Sequence, residues 1–169
     1  MMSDIRICIQ NLGKYNEGEL WFKWLDLPID DDELEEALEE IGIDDVEYEE
    51  IMIADYECEF MSIGEWDSIS RLNEIAEQLD DLDDWDRNKL RALLEYGESF
   101  DNAIDILDDC SLMEDVHSER ELGLYILQEG LLEDIPDNLL MYIDEEAVGR
   151  DWSINGSGGF TKYGYLEIY

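Results

Sequence analysis

The sequence predicts an α+β fold built from three small modules, because the pattern of apolar residues changes twice along the chain. Residues 1–61 alternate apolar and polar side chains with the period of two that is typical of half-buried strands, on both sides of one amphipathic helix. Residues 62–103 carry apolar side chains at helical spacing, which predicts an all-helical module. Residues 104–169 combine further helical segments with an aromatic, glycine-rich tail that favours strands, and so predict a second α+β module.

The first module is predicted to contain three strands. The first strand is marked by an isoleucine at every second position, at Ile5, Ile7 and Ile9. Residues 11–18 are rich in Gly and Asn and predict a turn. Residues 19–27, which include two tryptophans, predict the second strand, which ends before Pro28, and residues 46–54 predict the third.

An acidic helix is predicted between the second and third strands. Asp30 is placed to cap its first turn, and Gly42 follows its end near Ile41. Like charges four residues apart repel each other along this helix, and no Lys or Arg occurs between Lys23 and Arg71. A helix selected only for solubility would mix both signs of charge. Two interpretations stay open, a solvated acidic face and a binding surface.

The remaining helices are predicted from apolar stripes with start and stop residues. Residues 69–79 carry one stripe, residues 80–84 form an acidic connector, and the next helix ends at Gly97. Ser99 opens a short helix that extends to about residue 107.

The third module contains one helix with both end signals. Ser118 and Glu121 have capping-box spacing at its start, and Gly130 follows its end. Two short helical turns are predicted between Pro136 and Gly149, and strands in the aromatic tail.

The net charge of the chain is its most informative property. The sequence contains 48 acidic and 10 basic residues, a net charge of −38, yet 45% of its residues are hydrophobic and five are Trp, so a core can form. Repulsion among like charges destabilises a compact state. A DNA duplex carries one charge per ~1.7 Å, so this charge equals that of about 19 base pairs. Such a chain would attract basic, DNA-binding grooves; salt adaptation and solubility are the alternatives that composition leaves open.

Motifs and composition argue against an enzyme. His117 is the only histidine, so a His-based metal cluster or His pair is excluded, and no nucleophile elbow, P-loop or dinucleotide-binding motif occurs. The acidic segments lack the glycine that an EF-hand requires, so no metal or cofactor is predicted. Three widely spaced cysteines, Cys8, Cys58 and Cys110, predict buried free thiols. Neither a signal peptide nor a membrane span is predicted, so we expect a cytoplasmic location.

Residues 11–20, 55–57, 132–151 and 164–168, taken together, resemble the ArdA family of antirestriction proteins. Residues 11–20, NLGKYNEGEL, are similar to the opening of that family, and residues 132–151, LEDIPDNLLMYIDEEAVGRD, resemble its antirestriction motif. Residues 55–57 and 164–168 match as well. Two positions depart from the family pattern, Phe22 in place of a small residue and Glu145 in place of an aromatic one, so local packing is expected to differ there.

The resemblance implies a DNA mimic, encoded by a mobile genetic element, that occupies the DNA groove of type I restriction–modification enzymes. Its partners would be the specificity and methyltransferase subunits of those enzymes, in the bacterial host cell. It further implies an elongated homodimer joined through the C-terminal domain, without enzymatic activity and without direct contact to nucleic acid or membrane. Such a dimer would carry the charge of about 38 base pairs of DNA.

Two sets of functional residues are predicted. The first, the contact carboxylates, would stand in for phosphates: Asp31, Asp32, Glu35, Glu36, Glu39, Glu40, Glu47, Glu49, Asp80, Asp81, Asp83 and Asp84. The second, the motif set, is expected in the dimer interface and core: Ile135, Pro136, Leu139, Tyr142, Ile143, Asp144, Gly149, Arg150 and Asp151. The alternative function is that of a salt-adapted acidic protein with no restriction-enzyme target. It differs from the mimic in that it would not bind a DNA-processing enzyme tightly at low salt.

Overall fold

A computed structural model describes residues 3–44, 46–132 and 135–169 of the chain. The described residues form a mixed α+β protein with 45% helix and 21% strand, which confirms the predicted fold class. The chain divides into two compact units, Met1–Leu82 and Asp83–Tyr169, each with its own three-stranded antiparallel sheet. The division into three modules stays a prediction.

The elements of the first unit are strands β1 to β3 and helices α1 to α3. In chain order they are β1 (Ile5–Asn11), α1 (Leu12–Asn16), β2 (Phe22–Leu27), α2 (Asp31–Glu40), β3 (Ile51–Cys58) and α3 (Ile69–Asp80). The described residues of the second unit form a 3-10 turn (Leu107–Asp109), three strands and five helices. They are α4 (Asp84–Tyr96), α5 (Phe100–Asp105), β4 (Cys110–Met113), α6 (Glu119–Gln128), α7 (Asp137–Leu140), α8 (Glu145–Asn155), β5 (Gly158–Thr161) and β6 (Gly164–Ile168).

The sheet of the first unit has β1 at its centre, in the order β2-β1-β3. The predicted first strand is confirmed: it is paired on both edges, and its three isoleucines, which share one face of the sheet, are fully buried. Arg6 lies directly opposite Asp26 on one neighbour and Glu57 on the other, and its guanidinium bonds both carboxylates, at 2.6 and 2.7 Å. Asn73 of α3 ties this helix to the same unit, since its side chain exchanges two hydrogen bonds with the backbone of Ile29, at 2.7 and 3.0 Å.

Three predicted elements of this unit differ from the structure. The second strand begins at Phe22 rather than at residue 19, and two further elements differ for local reasons. Residues 11–18, predicted as a turn, begin with the short helix α1, because the side chain of Asn11 accepts from the amide of Lys14 and caps it. The third strand begins at Ile51 rather than at residue 46. Asp44 accepts hydrogen bonds from the amides of residues 46–48, at 2.9 to 3.1 Å, and this holds the chain in a turn.

The acidic helix α2 forms as the sequence predicts. The side chain of Asp30 accepts from the amide of Glu33 at 2.8 Å, and Gly42 follows the helix with a positive φ of 79°. Asn11 fixes the end of the helix because its side-chain amide donates to the carbonyls of Ile41 and Gly42, at 3.0 and 3.2 Å.

The sheet of the second unit has the order β4-β6-β5. The predicted strands of the tail are confirmed as β5 and β6, but β4 was not predicted, since four residues are too few to show alternation. The predicted starts of α5 and α6 are confirmed, since Ser99 and Ser118 cap them, and Gly97 ends α4 with a φ of 118°. The helix expected to stop near Gly149 instead continues to Asn155 as α8.

Helices α6 and α8 cross at two glycines, which explains why α8 contains Gly149 in its middle. A Cβ atom on Gly149 would lie 1.7 Å from the carbonyl oxygen of Glu119, and a Cβ on Gly123 would lie 1.7 Å from the carbonyl oxygen of Glu145. The two backbones are therefore closer than any side chain allows. The crossing is flanked by two reciprocal ion pairs, Arg120–Glu145 at 3.1 Å and Arg150–Glu119 at 3.9 Å.

The crossing predicts the effect of Gly149→Ala. Helix propensity alone favours Ala over Gly by ~1 kcal/mol. Here the added methyl group meets backbone, which cannot move out of the way as a flexible side chain does. We expect the free energy of unfolding to fall by at least about 2 kcal/mol, as for overpacked cores.

Chemical denaturation followed by circular dichroism measures this change. Gly123→Ala should have an effect of the same sign, because the contact is reciprocal. An unchanged or raised midpoint for both variants would show that the helices separate at no cost.

Candidate functional site

All twelve contact carboxylates are exposed. Six lie on α2, and Glu47 and Glu49 lie in the segment that leads from α2 to β3. Asp80 ends α3, Asp81 follows it, and Asp83 and Asp84 begin α4 in the second unit. The structure therefore brings the first six together on one helix and leaves the others in separate segments.

Helix α2 has a charge density close to that of DNA. Seven of its 10 residues are acidic, and 10 residues span ~15 Å of helix axis. A duplex carries about nine charges over that length. The first-turn acids are stabilised by the helix dipole, whereas the last turn contains no basic residue. Lys23 provides partial compensation from β2, since its Nζ lies 2.6 Å from an oxygen of Glu40.

The few basic residues are engaged with particular acidic groups. Those with an ion pair to a carboxylate are Arg6, Lys14, Lys23, Arg71, Lys89, Arg120 and Arg150. Lys89 is buried, and its ammonium group donates to the carbonyl of Leu107 at 2.7 Å and pairs with Asp86 at 2.9 Å. Since these cations are used within the fold, most of the acidic surface is left without neutralisation.

Residues 11–20, which carry one part of the family resemblance, form a structural cluster around Lys14. Its Nζ lies 4.4 Å from the ring centre of Tyr48 and 5.5 Å from that of Trp21. The hydroxyl of Tyr48 donates to Glu17 at 3.0 Å, and Glu17 pairs with Lys14 at 3.4 Å. Hydrogen bonding to Tyr48 and then to Glu17 raises the pKa of Lys14, so the cation persists. Gly13 is required here because a Cβ would lie 2.5 Å from the Tyr48 ring.

The first half of residues 132–151 presents apolar side chains to solvent. Within the described residues, Ile135 and Ile143 are half-buried and Pro136 is exposed. Leu139 is 48% exposed and Tyr142 79%, and Leu140 and Met141 between them are exposed as well. We call residues 139–142 the apolar patch. A run of four exposed apolar residues is typical of a surface that another protein covers.

The second half of residues 132–151 belongs to the helix crossing. The side chain of Asp144 caps α8 by accepting from the amide of Ala147 at 3.1 Å, Gly149 is the glycine of the crossing, and Arg150 pairs with Glu119. Glu145, which departs from the family pattern, pairs with Arg120 and so adds an ion pair across the helices. Asp151 is exposed, and its carbonyl accepts from the side chain of Asn155 at 2.7 Å.

A groove in the second unit was not predicted from the sequence. It has a volume of about 540 Å³ and is lined by Leu132, Val148, Asp151, Trp152, Asn155, Gly156 and Glu167. We call it the Trp152 groove. The indole Nε1 of Trp152 donates to Glu167 at 2.9 Å. These residues come from α8, from the end of the segment after α6 and from β6, so no local sequence pattern marks them.

The lone histidine and the cysteines have structural surroundings. Ser118 caps α6 by accepting from the amide of Glu121, as the predicted capping box requires. The carboxylate of Glu121 accepts in return from the amide of His117, the residue before the cap, at 2.8 Å. That bonding lowers the pKa of Glu121. All three cysteines are free; Cys8 and Cys110 are buried, whereas Cys58, contrary to the prediction, is only partly buried. Burial raises the pKa of each thiol.

The described residues contain no group of three or more His, Cys, Asp or Glu side chains arranged to hold a metal ion. Among the helices that the structure describes, none is long and apolar enough to cross a membrane.

The cap of α8 predicts opposite outcomes for two variants of Asp144. Asp144→Ala removes the acceptor for the Ala147 amide, so we expect the free energy of unfolding to fall by about 0.5–2 kcal/mol. Asp144→Asn removes the charge but keeps a good capping group, and its stability should stay within a few tenths of a kcal/mol of the parent, as roughly equal N-cap preferences imply. Thermal melts of the pair measure the difference. Equal stability of the two variants would contradict a capping role.

Comparison with known proteins identifies one family. The family model described as "Antirestriction protein (ArdA)" matches residues 7–167. A search of curated proteins found no match.

Proposed function

Because the chain belongs to the ArdA family of antirestriction proteins, we propose that it is a DNA mimic that binds type I restriction–modification enzymes and blocks their DNA-binding groove. Its partners would be the specificity and methyltransferase subunits of those enzymes. The observation that supports this mechanism best is the charge of α2, where seven carboxylates occupy ~15 Å of axis at a density near that of a duplex.

Competition for the groove follows from counterion release. A basic groove that binds DNA exchanges its condensed ions for Lys–phosphate and Arg–phosphate contacts, and affinity falls steeply as salt rises. Exposed carboxylates at similar spacing offer the same exchange without any nucleic acid. Since each exposed ion pair contributes only ~0.2–1 kcal/mol, many pairs must act together. The proposed contact surface is therefore distributed over the contact carboxylates of both units.

The proposed mechanism requires no chemistry from the inhibitor. Occupation of the groove is sufficient to exclude DNA, so we propose a binding protein rather than an enzyme. It would act in the cytoplasm of a bacterial host, on behalf of a mobile genetic element.

We further propose that the protein is an elongated homodimer joined through its C-terminal region. The apolar patch supports this, since Leu139 and Tyr142 would otherwise keep large apolar surfaces in water. A symmetric dimer uses the same patch on both copies. Two copies would present the charge of about 38 base pairs to a target that itself reads a two-part DNA site.

The acidic helix provides the test of the mimicry mechanism. Replacing Asp32, Glu35, Glu36, Glu39 and Glu40 together by their amides removes five charges and the repulsions between residues four apart. We expect inhibition of a type I enzyme to weaken by a factor of about five or more at low salt, since five pairs at ~0.2–1 kcal/mol each are lost. The remaining inhibition should depend less on salt, because fewer counterions are displaced. Glu36→Gln alone should weaken inhibition only slightly.

The matched control neutralises five exposed acids elsewhere, Asp105, Asp108, Asp109, Asp115 and Glu129, and so makes the same change in net charge. Inhibition across a salt series, with thermal melts alongside, compares the two variants. Equal losses would show that only net charge matters and that α2 is not a contact surface. Full loss from Glu36→Gln in a stable protein would point to a discrete site instead.

The apolar patch provides the test of the dimer. Leu139→Asp places a charge on an exposed apolar position, so the fold should be kept while association weakens. Tyr142→Ala should act in the same direction through lost contact area. Sedimentation at micromolar concentration is expected to show a shift towards monomer. Leu20→Asp, at an exposed leucine of the first unit, is the control and should leave association unchanged; an intact dimer in both patch variants would place the interface elsewhere.

A further inference from the structure

The Trp152 groove combines three properties that the proposed distribution of carboxylates does not use. It is concave, its walls are largely apolar, and it contains two carboxylates, those of Asp151 and Glu167. Among the described residues that line it, none is Lys, Arg or His. Its volume of about 540 Å³ is within the range of protein sites that hold a small ligand.

A buried hydroxyl without a partner lies beneath this groove. Tyr165 on β6 is fully buried in the core of the unit, together with Leu122 and Ile126, and Trp152 packs against that core. Among the described residues, the Tyr165 oxygen has no hydrogen-bond partner. A Cβ on Gly156, a lining residue, would lie 3.7 Å from that oxygen, so the hydroxyl lies close behind Gly156, although Tyr165 itself does not line the groove. Buried polar groups are rarely left unsatisfied, so an unpaired hydroxyl behind this wall of the groove calls for an explanation.

The chemistry of the groove selects a particular kind of occupant. An apolar side chain would remove water from the two carboxylates without replacing the lost hydrogen bonds, which is unfavourable. An acidic side chain would be repelled. A cation with an apolar stem satisfies both features, because the stem packs on Leu132 and Val148 while the charge meets Asp151 and Glu167.

Among such cations, arginine fits better than lysine. A guanidinium is flat and stacks on an indole face such as that of Trp152, and it has five donors in a fixed fork. Trp152 already donates to Oε1 of Glu167, so that carboxylate is held in place and its second oxygen can accept from a ligand. The remaining donors can pair with the carboxylate of Asp151. An ammonium group would satisfy the charge but would not stack as a plane.

We infer that the Trp152 groove receives an arginine side chain of the protein that this chain binds. The identity of that protein rests on the proposed function, whereas the selectivity for a guanidinium rests on the groove alone. The arginine adds one discrete anchor, at a defined position, to a contact surface that is otherwise distributed.

The first experiment tests the groove without any enzyme. The probe is Nα-acetyl-arginine amide, and its neutral isostere, the matching citrulline derivative, is the control. In ¹H–¹⁵N spectra, the indole signal of Trp152, assigned with Trp152→Phe, should shift with the arginine probe and not with citrulline. The indoles of Trp66 and Trp85, which are exposed outside the groove, report non-specific attraction. Equal shifts at all three indoles, equal shifts with both probes, or no shift at all would overturn the inference.

The second experiment tests the groove in the complex. Asp151→Arg fills the groove with the chain's own guanidinium, and Asp105→Arg makes the same charge change on an exposed position of α5. We expect Asp151→Arg to weaken binding to a type I enzyme at least tenfold more than Asp105→Arg, with sedimentation unchanged. Asp151→Asn, a milder variant, should weaken it in the same direction. Equal binding by both arginine variants would overturn the inference, as would loss of the dimer in Asp151→Arg, which would place a second copy in the groove.

The two experiments separate the inference from the function on which it rests. If the unaltered protein binds no type I enzyme but the arginine probe shifts Trp152 selectively, the proposed function fails and the guanidinium site stands. If the enzyme is bound, but the arginine probe does not shift Trp152 selectively and the two arginine variants bind equally, the proposed function is supported and the inferred arginine site is wrong.

Discussion

Repulsion among acidic groups is the constraint on which the rest of this structure depends. A chain with a net charge of −38 gains little from adding surface ion pairs, so its fold must be held by apolar burial and by backbone hydrogen bonds. The acids themselves contribute to the second of these. Asp30, Asp83 and Asp144 each cap a helix with a carboxylate, and Asp44 accepts from the amides of a tight turn, a bonding that lowers its pKa. At a helix N-terminus a negative charge is favourable, so these positions combine acidity with stability.

The helix starts were predictable from the sequence because capping is local. Asp30, Ser99 and Ser118 lie within three residues of the amides they bond, and short-range spacing reveals such pairs. The crossing of α6 and α8 was not predictable, since Gly123 and Gly149 are distant in sequence and each alone resembles a helix breaker. The same reasoning explains the missed groove, because its walls come from elements that are distant in sequence, chiefly α8 and β6. The Tyr165 hydroxyl behind it has no hydrogen-bond partner among the described residues, and this too is visible only in three dimensions. The exposure of the carboxylates was predictable because charged side chains favour solvent. Their spacing in the sequence does not indicate which of them contact a target.

The helix crossing also divides residues 132–151 into two parts with different physical roles. Asp144, Gly149 and Arg150 stabilise the unit by a cap, a close backbone approach and an ion pair. The apolar patch contributes little to the unit because its side chains face solvent. A substitution at Asp144, Gly149 or Arg150 therefore acts through folding, whereas a substitution in the apolar patch acts through association. Loss of inhibition by itself does not distinguish these causes, so stability must be measured beside it.

A purely distributed surface has an inherent weakness, which is that it recognises charge and little else. Any sufficiently basic groove would bind it at low salt, and screening weakens right and wrong partners alike. Discrimination between partners requires at least one contact that depends on geometry. In DNA-binding proteins, contacts to the bases provide this specificity, whereas contacts to the phosphates fix the position of the protein on the duplex. A stacked, forked guanidinium between Trp152 and two carboxylates has that directional character, and its partial burial makes it less sensitive to salt than the exposed acids of α2. In such a division of roles, the carboxylates attract and align the target, and the groove decides whether the encounter lasts.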